Sequence, residues 1–162
     1  VGHDDVVEAF ATYLREHGLP VTAQRLAIAE IMLDSERHLS ADDVATELAR
    51  RQSGIGLATV YRTIDLLVKS ALLVERDFGE GFRRYEPARD IPHHEHLLCT
   101  VCGTVREFRD ERLERMTTLV AEANGYARQR HRLVIYGVCD ACQRGSVPAR
   151  PPSLVPRPPS RP

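Results

Sequence analysis

The chain has 162 residues, enough for one domain of ordinary size or two small ones. Its 43% hydrophobic and 28% charged content are those of a soluble globular protein, and no run approaches the roughly 18 apolar residues that a membrane span needs. The formal net charge of −1 does not advertise nucleic-acid binding, so any such reading has to rest on local placement of charge. Tryptophan is absent, so a core must be built from Leu, Val, Ile and Ala. The first residues, Val1-Gly2-His3-Asp4-Asp5, contain neither a basic n-region nor an apolar h-region, and a cytoplasmic protein is expected.

The first seventy residues read as helices. Val6 to His17 places Val6, Val7, Phe10, Tyr13 and Leu14 near one face, with Gly18 as the stop. After an extended link at Pro20, Thr22 caps a second helix running to about Asp34. Ser40-Ala41-Asp42-Asp43 resembles a capping box with Asp in place of Glu and opens a third helix through Arg51. A turn at Gln52–Gly56 leads to a fourth, from about Ala58 to Ser70, with Val60, Ile64, Leu67 and Val68 on one face.

Two short runs, Leu72–Arg76 and Phe82–Glu86, flank Asp77-Phe78-Gly79-Glu80-Gly81 and predict a hairpin. Pro87 to Pro92 reads as a hinge. Strand-like pieces follow at Leu97–Cys99 and Thr104–Phe108, then a helix over about Asp110–Asn124 and a strand over Arg132–Val138. From Gly145 onward Pro, Arg and Ser dominate, and this tail is expected to be disordered.

All four cysteines fall in pairs, Cys99-x-x-Cys102 and Cys139-x-x-Cys142. Reduced thiols in two such knuckles supply the four-thiolate tetrahedron that zinc prefers in closed structural sites. His93-His94-Glu95-His96 forms a second constellation. In an extended segment alternate residues share a face, so His94 and His96 point one way and His93 and Glu95 the other. One short segment can then feed two metal sites, with His38, Glu86, Glu107, Glu114 and His131 as candidates to complete them. Imidazole and carboxylate ligands without thiolate suit Fe²⁺, Mn²⁺, Zn²⁺ or Ni²⁺. A zinc-deaminase reading of His93-x-Glu95 fails, because no Pro precedes Cys99 and the spacing leaves no room for the rest of that site. No enzymatic role is expected, and no small organic substrate.

Helix-turn-helix followed by a hairpin is the pattern of a winged helix-turn-helix domain. Its reading helix is Ala58–Ser70, where Thr59, Tyr61 and Arg62 can reach bases or phosphates, and Arg25 can clamp a phosphate.

These stretches together resemble the ferric uptake regulator family of metal-responsive bacterial transcription regulators. Gly56-Leu57-Ala58-Thr59-Val60-Tyr61-Arg62-Thr63 resembles its recognition helix, His93 to Gly103 its hinge-proximal metal motif, and Tyr136 to Cys142 its terminal zinc knuckle. The likeness spans about residues 8–143. It implies an α+β protein: a winged-helix DNA-binding domain over 1–86, a hinge over 87–92, and a small α/β dimerisation domain over 93–144, with the tail from 145 outside the match. It further implies a homodimer on a double-stranded, AT-rich palindromic operator.

By the same resemblance Cys99, Cys102, Cys139 and Cys142 hold structural Zn²⁺. His38, Glu86, His94, His96 and Glu107 form the sensory site, and His93, Glu95, Glu114 and His131 a further one. Glu107, where peroxide-sensing members tend to carry Asp, favours iron sensing over peroxide sensing, and the lack of a further Cys speaks against the thiolate-containing zinc sensors; Fe²⁺ is the expected regulatory ion, with Mn²⁺ or Zn²⁺ as alternatives. The expected activity is metal-dependent repression of metal-uptake genes. The alternatives are a peroxide-, manganese- or zinc-sensing member of the family and, in a different class, a metal buffer or metallochaperone that binds no DNA.

Overall fold

A computed structural model describes residues 3–88 and 93–146, with side chains from residue 5. The expected hinge at 87–92 and the expected tail from 145 fall largely outside these residues. The chain divides into two compact units whose described parts are these two ranges.

The first unit is built on four helices, α1 (His3–Glu16), α2 (Ala23–Leu33), α3 (Ala41–Arg50) and α4 (Leu57–Lys69). Gly18, at φ 66°, turns the chain out of α1 while the Leu19 N–H closes back on the Leu14 carbonyl at 2.8 Å. Thr22 caps α2 by accepting from the Arg25 N–H. The Ser40 side chain accepts from the Asp43 N–H, and the Asp43 carboxylate accepts in return from the Ser40 N–H. Asp thus closes a capping box as Glu would.

The apolar stripes of the helices meet in one core, with Phe10, Leu14, Ile28, Met32, Val44, Leu48, Val60, Ile64 and Leu67 fully buried. Each such side chain stabilises the fold by about 1.5–3 kcal/mol. Strands β1 (Leu73–Asp77) and β2 (Arg83–Pro87) form the antiparallel wing. Leu39 adds a single bridge to it, exchanging hydrogen bonds with Tyr85 at 3.0 and 2.8 Å. The turn between the strands does more than reverse the chain, since Phe78 and Glu80 are both buried.

The second unit holds β3 (Glu95–Cys99), β4 (Val105–Phe108), α5 (Glu111–Ala123), β5 (Val134–Gly137) and the short α6 (Asp140–Gln143). The strands lie in the order β4-β3-β5, with β3 antiparallel to β4 and parallel to β5. A parallel neighbour requires a crossover connection, which α5 provides. Asp110 caps α5 by accepting from the Arg112 N–H.

Candidate metal centres and reading helix

Both cysteine pairs come from turns at strand ends. Cys99 ends β3 and Cys102 follows in the tight turn closed by the Gly103 N–H on the Cys99 carbonyl. Cys139 leads into α6, which carries Cys142. Parallel pairing of β3 with β5 places Cys99 opposite Gly137 and so brings the knuckles together.

The four Sγ atoms lie within 4.8 Å of one another, and none is in a disulfide. Cys102 Sγ and Cys139 Sγ are 3.8 Å apart. A zinc tetrahedron with bonds of about 2.3 Å has edges of about 3.8 Å. Burial pushes the Cys99 thiol up, but hydrogen bonds from the backbones of Cys102, Cys139 and Val101 outweigh it and bring it down to about 6. Burial and the neighbouring sulfurs push Cys142 up to about 12. The donor set fits zinc, since a dication removes the repulsion that keeps the fourth thiol protonated.

In the first unit His38 and Glu86 meet because Leu39 is bridged to Tyr85, which sets the residue before one beside the residue after the other. His38 Nε2 lies 2.5 Å from Glu86 Oε2, and both side chains are buried. Arg76, diagonally across the wing, donates through Nε to Glu86 Oε1 at 2.7 Å. Burial pushes the Glu86 carboxyl up, but His38 and then Arg76 outweigh it and hold it at about 2. Arg84 is buried as well, paired through both ends of its guanidinium with Glu80 and donating to the His38 carbonyl at 3.2 Å. Sequence reasoning missed Arg76, Arg84 and Glu80, because charged residues around a Gly-rich turn look like a solvated loop.

In the second unit the strand alternation predicted at 93–96 is present. The His94 and His96 rings stack edge-on at 4.9 Å, with His94 Nε2 3.8 Å from Glu107 Oε1 on β4. The β3–β4 register sets His96 opposite Glu107. On the other face Glu95 Oε1 is 2.8 Å from His93 Nε2 and 2.5 Å from His131 Nε2, while Glu95 Oε2 accepts from the Leu133 N–H at 2.6 Å. Glu114, from the first turn of α5, completes a set whose ligand atoms lie within 4.8 Å of one another. His131 Nε2 is buried with no partner in hydrogen-bond geometry. Its closeness to Glu95 without a hydrogen bond is an arrangement that a shared cation satisfies.

The candidate reading helix α4 buries Val60, Thr63 and Ile64 and leaves Arg62 and Tyr61 outward, the latter 50% exposed. Thr59 is half-buried, and its carbonyl accepts from the Thr63 hydroxyl. Arg25 is also half-buried, its guanidinium donating to the Pro20 carbonyl at 2.6 Å. Thus Tyr61 and Arg62 are free to reach outward, while Arg25 is already engaged.

A winged helix-turn-helix unit followed by an α/β unit rich in Cys, His and carboxylate clusters defines the class of metal-binding transcription regulators. The model of the ferric uptake regulator family matches residues 16–136, and the chain belongs to that family. It is 42% identical over 133 residues to the ferric uptake regulation protein of Bordetella parapertussis, a match covering 82% of this chain and 95% of that one. Among solved structures it resembles a zinc-bound manganese uptake regulator, with TM-score 0.68 at 34% identity, covering 81% of this chain and 98% of that one. The ferric uptake regulator of Helicobacter pylori shares the fold, with TM-score 0.75 at 24% identity, over 88% of this chain and 95% of that one. Members of the family are dimeric DNA-binding regulators of transcription, not enzymes.

Proposed function

We infer that the protein is a metal-dependent transcriptional repressor that binds an AT-rich palindromic operator as a homodimer and responds to ferrous iron. The observation that carries this reading is the placement of His38 and Glu86 inside the winged-helix unit. His38 lies two residues before Ser40, the cap of α3, and Glu86 lies on wing strand β2. A cation held there acts on the scaffold that aims α4. Two buried ligands are too few for a divalent ion, which takes its remaining ligands in this reading from His94, His96 and Glu107 beyond the hinge. Because metal binds only where all five converge, it selects one arrangement of the protein.

The absence of thiolate from this ligand set supports iron or manganese over a soft ion, and the similarity to ferric uptake regulation proteins supports iron. Zinc in the four-cysteine cluster is structural, and the His93, Glu95, Glu114 and His131 cluster is a further divalent site. Tyr61, Arg62 and Thr59 are the DNA contacts, with Arg25 as a phosphate contact once released from Pro20.

The test is operator binding by fluorescence anisotropy with Fe²⁺, Mn²⁺ or Zn²⁺ titrated anaerobically. Affinity is expected to rise with Fe²⁺, and the rise to vanish when His94 and His96 are replaced by alanine while the zinc content is kept. Metal-dependent binding that survives those replacements sinks the sensory assignment.

A further inference from the structure

The loop after α5 brings a guanidinium to the His93, Glu95, Glu114 and His131 cluster. Arg128 Nη1 donates to Glu114 Oε2 at 3.0 Å and to His131 Nδ1 at 2.5 Å, and lies 3.4 Å from Thr117 Oγ1. Its side chain is only 26% exposed. Carboxylates crowded in partial burial require a cation nearby, and arginine is permanently charged.

The bond to His131 has a further consequence. A neutral imidazole that accepts at Nδ1 carries its proton on Nε2. In His131 that is the atom facing the cluster, 2.5 Å from Glu95 Oε1 and 3.8 Å from Glu114 Oε1. A metal ion bound there needs the Nε2 lone pair, with the proton moved to Nδ1. Nδ1–H cannot accept from Arg128. The Arg128–His131 hydrogen bond and a divalent ion on His131 Nε2 therefore exclude one another, while Glu114 offers Oε2 to the guanidinium and Oε1 to the cluster.

We propose that Arg128 is the resident counter-cation of this cluster, and that a divalent ion enters only by displacing it from His131. The proposal rests on reading the cluster as a divalent site. It makes the site weaker than its ligand count alone would give, and fills it only when metal outcompetes an internal group.

The test titrates the full-length, zinc-loaded protein with Co²⁺ and follows the visible absorption of the bound ion. Arg128→Gln is expected to tighten the cobalt equivalent held by this cluster about tenfold, the scale of one charge-assisted hydrogen bond that no longer has to be broken. His131→Ala, alone or combined with Arg128→Gln, is expected to lose that equivalent. If Arg128→Gln leaves the affinity within about twofold or weakens it, while His131→Ala still loses the equivalent, the cluster binds metal and the proposal is wrong. If His131→Ala changes no cobalt stoichiometry, the reading of the cluster itself fails, and the proposal with it.

A second measurement needs no variant. Nitrogen-15 NMR of the protein with zinc but no other metal should show His131 as the Nε2–H tautomer, and an Nδ1–H tautomer overturns the proposal. Arg128→Lys, which keeps the charge but loses the planar fork, is expected to tighten cobalt less than Gln does. An equal or larger gain contradicts the displacement of a hydrogen-bonded guanidinium.

Discussion

Four thiols crowded within a few ångströms cannot all ionise without a cation, as the opposed shifts of Cys99 and Cys142 express. In the proposed assignment, zinc at that cluster is part of folding rather than an accessory to it. Cys99→Ser is expected to lower zinc from one equivalent per chain to none by elemental analysis. It should also abolish the cooperative melting of residues 93–146, leaving the winged-helix unit folded. Retention of both zinc and the second transition would refute the structural role. Arg62, as the proposed DNA contact, would act by reach instead. Exposed on the N-terminal half of α4, it contributes nothing to the core. Arg62→Ala is expected to weaken operator binding by roughly 1–3 kcal/mol, the worth of one good base contact, with no change in melting temperature. Anisotropy and calorimetry on the same preparation check both halves of that expectation.

At the scale of the element, caps decide where helices begin, and caps were legible. Thr22 and Ser40 with Asp43 each stand where a hydrogen-bonding side chain precedes an apolar period, and each bonds as expected, whereas Asp110, expected inside the last long helix, is instead its cap. Asp110 also gives α5 a dependence on pH. The Arg112 guanidinium beside it, and then the Arg112 N–H, hold its carboxyl down at about 2, against an ordinary 3.8. Between those values the unfolded chain binds the proton and the folded one does not. The contribution is full above about pH 4 and is lost as pH falls towards 2. Asp110→Asn keeps the cap without the titration, so the stability of α5 should become flatter over that window, as circular dichroism can follow. Strand limits were less legible. β3 starts at Glu95 rather than Leu97, because its first residues are polar and buried against other side chains instead of alternating with solvent. β5 covers only Val134–Gly137 of the predicted Arg132–Val138, and α6 passed unnoticed, being four residues with no period to show.

At the scale of the molecule, α5 poses the question of what covers it. None of its residues is fully buried, and Met116, Leu119 and Val120 stand 58%, 60% and 55% exposed, with Tyr126 beyond the helix end at 72%. A monomer rarely leaves such side chains contiguous in water, and as members of the family form dimers, a second copy is expected to cover them. Leu119→Glu is expected to convert dimer to monomer in analytical ultracentrifugation without unfolding the chain, since the position is open in a single copy. A dimer of undiminished stability would place the interface elsewhere. The sequence by itself determined the four helices of the first unit, the cysteine tetrad and the division of His93–His96 between two faces. Those follow from periods, caps and spacings, which are local. Only the tertiary structure decided that His38 meets Glu86, that Glu95 lies between two imidazoles, and that Arg76, Arg84 and Arg128 are bound to ligands or their backbones rather than to water. Those depend on strand register and loop return, which join residues far apart in the chain and leave no local mark. The same pairing of β3 with β5 that gathers four cysteines from two knuckles is invisible in either knuckle alone.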